Sequence, residues 1–199
     1  SDKYLYKTAL KIDWHDFLDP SKTLAIFSSV SDSRIRHSQF AALRLKDAIV
    51  DYFRARHDNR RPSIDTVNPD VWINLHIRNN RATISIDTAG GSLHRRGYRK
   101  KALEAPMMET LAAAIIRLSE WDGSTPLYDP FCGSGTLLCE AFMHAANLPA
   151  AFLRKKFGFE CLPDFDAGLW QRVRRQADDA IMPVPAGRIA GSYRAQQAV

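Results

Sequence analysis

The sequence predicts two consecutive folds, an α+β unit followed by the opening of a doubly wound α/β domain. Three observations carry this expectation. Val71, Ile73, Leu75 and Ile77 alternate with polar or amphipathic residues and lead through Asn79-Asn80 into a second alternating stretch, the signal of a hairpin. Ahead of it, Ala42, Leu45, Ile49 and Phe53 recur at three- and four-residue spacing, as on the inner face of a long helix. Farther on, residues 127–130, a turn with two glycines and an apolar run from Thr136 to Ala146 form the strand, turn and helix that begin a doubly wound sheet.

Taken in order, residues 23–30 (TLAIFSSV) read as a buried strand closed by Ser31-Asp32-Ser33. The long helix starts near Ser38, and the polar loop Asp58-Asn59-Arg60-Arg61-Pro62 ends it. Asparagine tolerates positive φ, so Asn79-Asn80 suits the tight turn before the returning strand with Ala82, Ile84 and Ile86. The composition then shifts to glycine and basic residues over 90–101, which places a boundary between units 1–95 and 96–199. Pro106 suits the first turn of a helix with Leu111, Ala114, Ile115 and Leu118 inward. A weaker helix over 165–180 and a second parallel strand over 188–192 complete the reading, with such a sheet only about one-third built at Val199.

Twenty-eight basic residues against 22 acidic ones give a formal charge of +6, which favours a polyanionic partner. Cys132, Cys139 and Cys161 show no CxxC pairing, so neither a zinc site nor a disulfide framework is expected, and a reducing cytoplasm fits. No run approaches the ~20 apolar residues of a membrane span, and a soluble protein is expected. No histidine lies in a recognisable nucleophile arrangement with Ser or Cys, which argues against hydrolase chemistry.

The most informative string is DPFCGSGTLLCEA, from Asp129 to Ala141. Gly133 and Gly135, between a strand and a helix start, let backbone N–H groups approach a ligand closely. The string lacks the Gly-Lys-Ser/Thr ending of a nucleoside triphosphate loop and the third glycine of the dinucleotide fingerprint. It resembles the S-adenosylmethionine loop of class I methyltransferases that modify exocyclic amino groups of nucleobases. Upstream, SDSRIRHSQFAALRLKDAIVDYF, the hairpin and GGSLHRRGYR are similar to the THUMP RNA-binding domain of bacterial guanine-N2 methyltransferases acting on 23S ribosomal RNA. EAPMMETLAAAII is similar to the helix joining that domain to the catalytic fold, and the resemblance runs from about Leu5 to Ser192.

This resemblance implies a THUMP-like domain, missing its N-terminal portion, followed by the first part of a Rossmann-like methyltransferase domain. It implies S-adenosylmethionine as cofactor, no metal, and 23S ribosomal RNA as partner. Asp129, Phe131, Gly133, Ser134 and Gly135 would form the cofactor loop, Glu140 would lie behind it, and Ala105 and Pro106 would cover the cofactor. Two departures stand out. Met108 occupies a position usually basic, and Tyr193 follows Gly191-Ser192 where the family has the acid that holds the ribose hydroxyls. The Asn-Pro-Pro-Tyr type of loop that aims the target amine occurs nowhere in the 199 residues, so no catalytic residue is assigned, and this segment alone is expected to be inactive and, lacking the ribose acid, to bind the cofactor weakly or not at all.

The basic run His94, Arg95, Arg96, Tyr98, Arg99, Lys100 and Lys101 reads either as an RNA contact, with arginines on phosphate and Tyr98 on a base, or as a solvated linker. Arg34, Arg36 and His37, before the long helix, form a second RNA candidate against the same surface alternative. Arg54, Arg56, Arg60 and Arg61 solvate a helix end, and Trp14 and Trp72 suit core or interface. Two competing functional readings remain: an adenine-N6 methyltransferase of DNA or RNA, which shares a similar cofactor loop, and an RNA-binding protein whose methyltransferase half has become scaffold.

Overall fold

The computed structural model describes residues 1–99 and 106–193. They form two compact units, one of Ser1–Gly91 with Lys156–Phe165, the other of Ser92–Lys155 with the residues from Asp166 on.

The first unit comprises α1 (Asp2–Ala9), β1 (Thr23–Ser31), α2 (Ser38–Arg54), β2 (Ser63–Ile64), β3 (Val71–Arg78) and β4 (Arg81–Ile86). Its sheet has the order β2-β1-β3-β4, with β1 parallel to β2 and β3 and β4 antiparallel to β3. The expected alternation in β3 is present, with Val71, Ile73, Leu75 and Ile77 all buried. Asn79 and Asn80 take φ of 50° and 62°, the left-handed geometry that a tight hairpin turn demands. In α2, Leu45, Ile49 and Phe53 are buried as expected, joined by Ala41, Ala48 and Tyr52, while Ala42 sits at the margin. These side chains meet β1, β3, Leu5, Trp14 and Leu18 in one core.

The strand at Thr23 is less buried than its apolar sequence predicts. Only Leu24 and Ala25 are enclosed, and Phe27 lies on the open side, stacked on Trp72 with ring centroids 4.9 Å apart. Residues 156–165, which the sequence places with the second half, return to the first unit. Phe159 N–H donates to the Thr88 carbonyl at 2.8 Å, Cys161 packs against the core, and Lys156 pairs with Asp70. This link joins residues distant in sequence, so neither segment signals it alone.

The second unit comprises α3 (Glu109–Leu118), β5 (Leu127–Asp129), α4 (Thr136–Ala145), α5 (Ala167–Asp179) and β6 (Ile189–Gly191). β5 and β6 pair in parallel, as a doubly wound sheet requires. Two expectations are corrected here. Pro106 precedes the helix, which begins at Glu109 after an extended Met108. The inner face of α3 is Glu109, Ala112 and Ile116, whereas Leu111, Ala114, Ile115 and Leu118 are exposed. The reason lies in packing on α4: small Ala112 and Ala141 are both fully buried, and Glu109 turns inward to an arginine.

Asp70 makes the stability of the first unit depend on pH. Burial raises its carboxyl pKa, but Lys156 and the Thr23 N–H and hydroxyl, at 2.7 and 2.9 Å, outweigh burial and hold it below the usual value. A depressed folded-state pKa contributes stability above the unfolded pKa, near 4, that is lost as pH falls through the folded value. Asp70→Asn is therefore expected to lower the urea midpoint at about pH 7, with the gap to wild type narrowing towards about pH 3. A gap constant across that range would contradict this role.

Candidate functional site

The expected loop is built by β5, the turn at 130–135 and α4. Asp129 Oδ1 accepts from Phe131 N–H at 2.9 Å, which bends the chain off the strand end. Gly135 is the N-cap of α4 with φ 73°, and a Cβ built on it would meet nothing within 4 Å. Glycine there serves conformation and leaves open space beside the helix start. Two hydrogen bonds cross from the end of β6: Ser192 N–H to the Asp129 carbonyl at 2.9 Å, and Cys132 N–H to the Ser192 carbonyl at 3.1 Å. The approach is so close at Gly191 that a Cβ would lie 2.6 Å from Leu138 Cδ1 and 2.9 Å from the Asp129 carbonyl oxygen.

Around this turn opens a cavity of about 480 Å³. Among its walls are five expected cofactor residues, Pro106, Asp129, Phe131, Gly133 and Ser134. Met107, Cys132, Thr136, Leu137 and Tyr193 complete the wall. Thr136 begins α4, so N–H groups of the helix start lie beside the opening, where partial positive charge favours an electron-rich ligand. Tyr193 thus stands in the wall at the place expected of an acid. Its single hydroxyl cannot accept from two neighbouring hydroxyls as a carboxylate does.

The same unit holds two inward arginines on carboxylates, and neither pairing is evident from the sequence. Arg96 Nε contacts Glu140 Oε1 at 3.3 Å, and the Tyr98 hydroxyl donates to the same oxygen at 2.8 Å. Burial, then Glu140, pushes the Tyr98 phenol pKa well above its ordinary value. Arg99 Nε donates to Glu109 Oε1 at 3.2 Å, and its Nη2 donates to the Met107 carbonyl at 2.8 Å and to Thr136 Oγ1 at 3.1 Å. Burial raises the Glu109 pKa, but its own backbone N–H and then Arg99 hold the carboxyl below the usual range. No sequence signal singles out Glu109; its pairing with Arg99 requires a chain reversal that local periodicity does not encode.

The structure therefore divides the residues expected at RNA. Arg96, Tyr98 and Arg99 turn inward because buried carboxylates await them. Arg34, Arg36 and Arg95 are exposed, and His94 is half-buried with Nδ1 against Ser92 Oγ. Lys100, Lys101 and Ala105 lie outside the described residues. Among the described residues no group of three or more His, Cys, Asp or Glu is arranged to hold a metal ion, and no helix is long and apolar enough to cross a membrane. Burial, then Glu140, raises the Cys139 thiol pKa, the reverse of what an activated nucleophile needs.

Comparison with known proteins matches residues 96–197 to the family described as RMKL-like, methyltransferase domain, and residues 2–87 to the THUMP domain. The chain is 45% identical over 177 residues to the ribosomal RNA large subunit methyltransferase K/L of Vibrio cholerae, covering 89% of this chain and 25% of that protein. It is 43% identical over 173 residues to a Synechocystis protein named as an RNA methyltransferase, covering 87% of this chain and 45% of the relative. Among solved structures, the SMU.472 protein complexed with SAH superposes with a TM-score of 0.77 at 31% identity, over 100% of this chain and 52% of that one. The chain thus spans less than half the length of either curated relative.

Proposed function

The chain belongs to the RMKL-like methyltransferase domain family, and on that premise we propose that it is the RNA-reading and cofactor-loading part of an S-adenosylmethionine-dependent enzyme that methylates guanine N2 in 23S ribosomal RNA. The observation that carries this reading is the cavity, which opens on the turn and helix start that the sequence singles out. The open space at Gly135 and the positive φ of Gly133 and Gly135 suit a ligand lying against the backbone. Bound there, S-adenosylmethionine would supply an electrophilic methyl group on its sulfonium. Gly133, Ser134 and Gly135 would hold it through the turn, Asp129 and Phe131 would border it, and Pro106 would cover it. The reading involves no metal and a soluble, cytoplasmic setting.

Tyr193 limits what these residues do alone. An acid accepting from ribose hydroxyls contributes ~1.5 to 3 kcal/mol, so its absence weakens binding by roughly 10- to 150-fold. Transfer also needs a group that accepts from the target amine and turns its lone pair to the methyl, and no such loop occurs in the sequence. This segment therefore binds the cofactor weakly and does not transfer methyl by itself. Its RNA contacts in this reading are Arg34, Arg36 and Arg95, which are exposed, with half-buried His94 beside them in the chain.

Calorimetric titration with S-adenosylmethionine is expected to give an affinity weaker than micromolar, and Tyr193→Asp to tighten it by about tenfold or more. Tritium transfer to unmodified ribosomal RNA is expected at background level. Micromolar binding by the wild type, or methyl transfer, would overturn this account of Tyr193 and of the missing loop. Separately, affinity for structured RNA is expected to fall as salt rises, and combined alanine substitution of Arg34, Arg36 and Arg95 to weaken binding and flatten that dependence. An unchanged salt slope would remove these arginines from the RNA surface.

A further inference from the structure

We infer that Arg99 is the positioning residue of the cavity, the side chain that sets the distance between the strap 106–108, which carries the wall residues Pro106 and Met107, and the start of α4. The inference rests on the cofactor reading of that cavity. Its geometric basis is one guanidinium shared by three segments: the Met107 carbonyl in the strap, Thr136 Oγ1 at the first residue of α4, and Glu109 Oε1 at the start of α3. Met107 and Thr136 both line the cavity. Thr136 Oγ1 lies 3.2 Å from Ser134 Oγ, so the contacts continue into the glycine turn.

Burial makes these contacts effective. Glu109 and Thr136 are 8% and 4% exposed, and the Arg99 side chain is 20% exposed, so water competes little for the same groups. The arrangement exceeds what a simple ion pair needs. Glu109 takes only Nε, while Nη2 alone reaches both cavity-lining partners. Nη1 is buried without a hydrogen-bond partner among the described residues. A rigid planar fork can divide its donors this way, whereas a lysine ammonium places its charge at one point on a flexible stem. Arg99 thus carries the spacing of the cavity wall, a role unlike the phosphate contact suggested by its place in a basic run.

The test compares the 199-residue wild type with Arg99→Lys and Arg99→Ala by residue-resolved amide exchange, thermal unfolding and S-adenosylmethionine titration. The informative amides are Gly135, Cys139 and Ala112, hydrogen-bonded to the Cys132, Gly135 and Met108 carbonyls respectively. Both variants are expected to exchange about tenfold or more faster at these amides, with those of β3 unchanged, and to lose about tenfold in cofactor affinity. The lysine variant, which keeps a cation near Glu109, is expected to regain the unfolding temperature but neither the protection nor the affinity. Full restoration of protection by lysine, or wild-type exchange in the alanine variant, would overturn the inference. Should the alanine variant fail to fold, the lysine variant alone decides. A wild type without measurable cofactor binding would count against the cofactor reading, and the exchange pattern would still judge Arg99.

Discussion

The close parallel approach of β6 to the end of β5 is the constraint on which the candidate site depends. Ser192 and the Asp129–Cys132 segment exchange two backbone hydrogen bonds, and Gly191 is the residue that allows the distance. Those bonds hold both sides of the turn whose glycines lead into α4. A glycine turn free in solution would sample many conformations, because glycine, without a Cβ, populates positive and negative φ about equally. Anchored to a neighbouring strand, the same turn presents a fixed wall. The cavity is therefore a property of the sheet as much as of the string DPFCGSG.

A second layer of order comes from charge placed inside. Each of the arginines Arg96 and Arg99 meets a carboxylate from a helix of the same unit, Glu140 and Glu109. Buried ion pairs are weak evidence for stability, since desolvation opposes the attraction, but they fix which groups must lie together. Here they place the stretch 96–99 against α3 and α4, and through Arg99 that stretch reaches two residues of the cavity wall, Met107 and Thr136. The positive charge of this stretch, conspicuous in sequence, is largely neutralised where it stands. Arg95, between these inward residues and His94, keeps its exposure and with it the capacity to meet a phosphate.

Much of the architecture is legible locally. The alternation of β3, the Asn79-Asn80 turn, the spacing in α2 and the strand, turn and helix around Gly133 each follow from periodicity or from backbone preferences of single residues. What escapes a local reading depends on partners far along the chain. Leu111, Ile115 and Leu118 form a reasonable apolar face for α3, yet the helix turns Ala112 and Ile116 inward because a small-residue contact with α4 and the Arg99 to Glu109 pair select that face. Residues 156–165 carry no strong pattern, and their return to the first unit hangs on Lys156, Phe159 and Cys161 finding Asp70, Thr88 and the core. For the site, the sequence identifies most of the wall through one motif. Thr136 stands in that motif without an evident role, and its link through Arg99 to the Met107 carbonyl depends on where the arginine side chain turns rather than on residue type.

In the function proposed for this chain, S-adenosylmethionine or its demethylated product sits against the wall formed by the β5 turn, the start of α4 and Tyr193. Titration of the isotope-labelled chain with S-adenosylhomocysteine, followed by amide chemical shifts, tests it most directly because this method detects weak complexes. Saturable shifts are expected at the amides of 131–137, with Asp129 and Tyr193, and none in β3 or α2. Shifts centred in the first unit, or none at millimolar ligand, would contradict it.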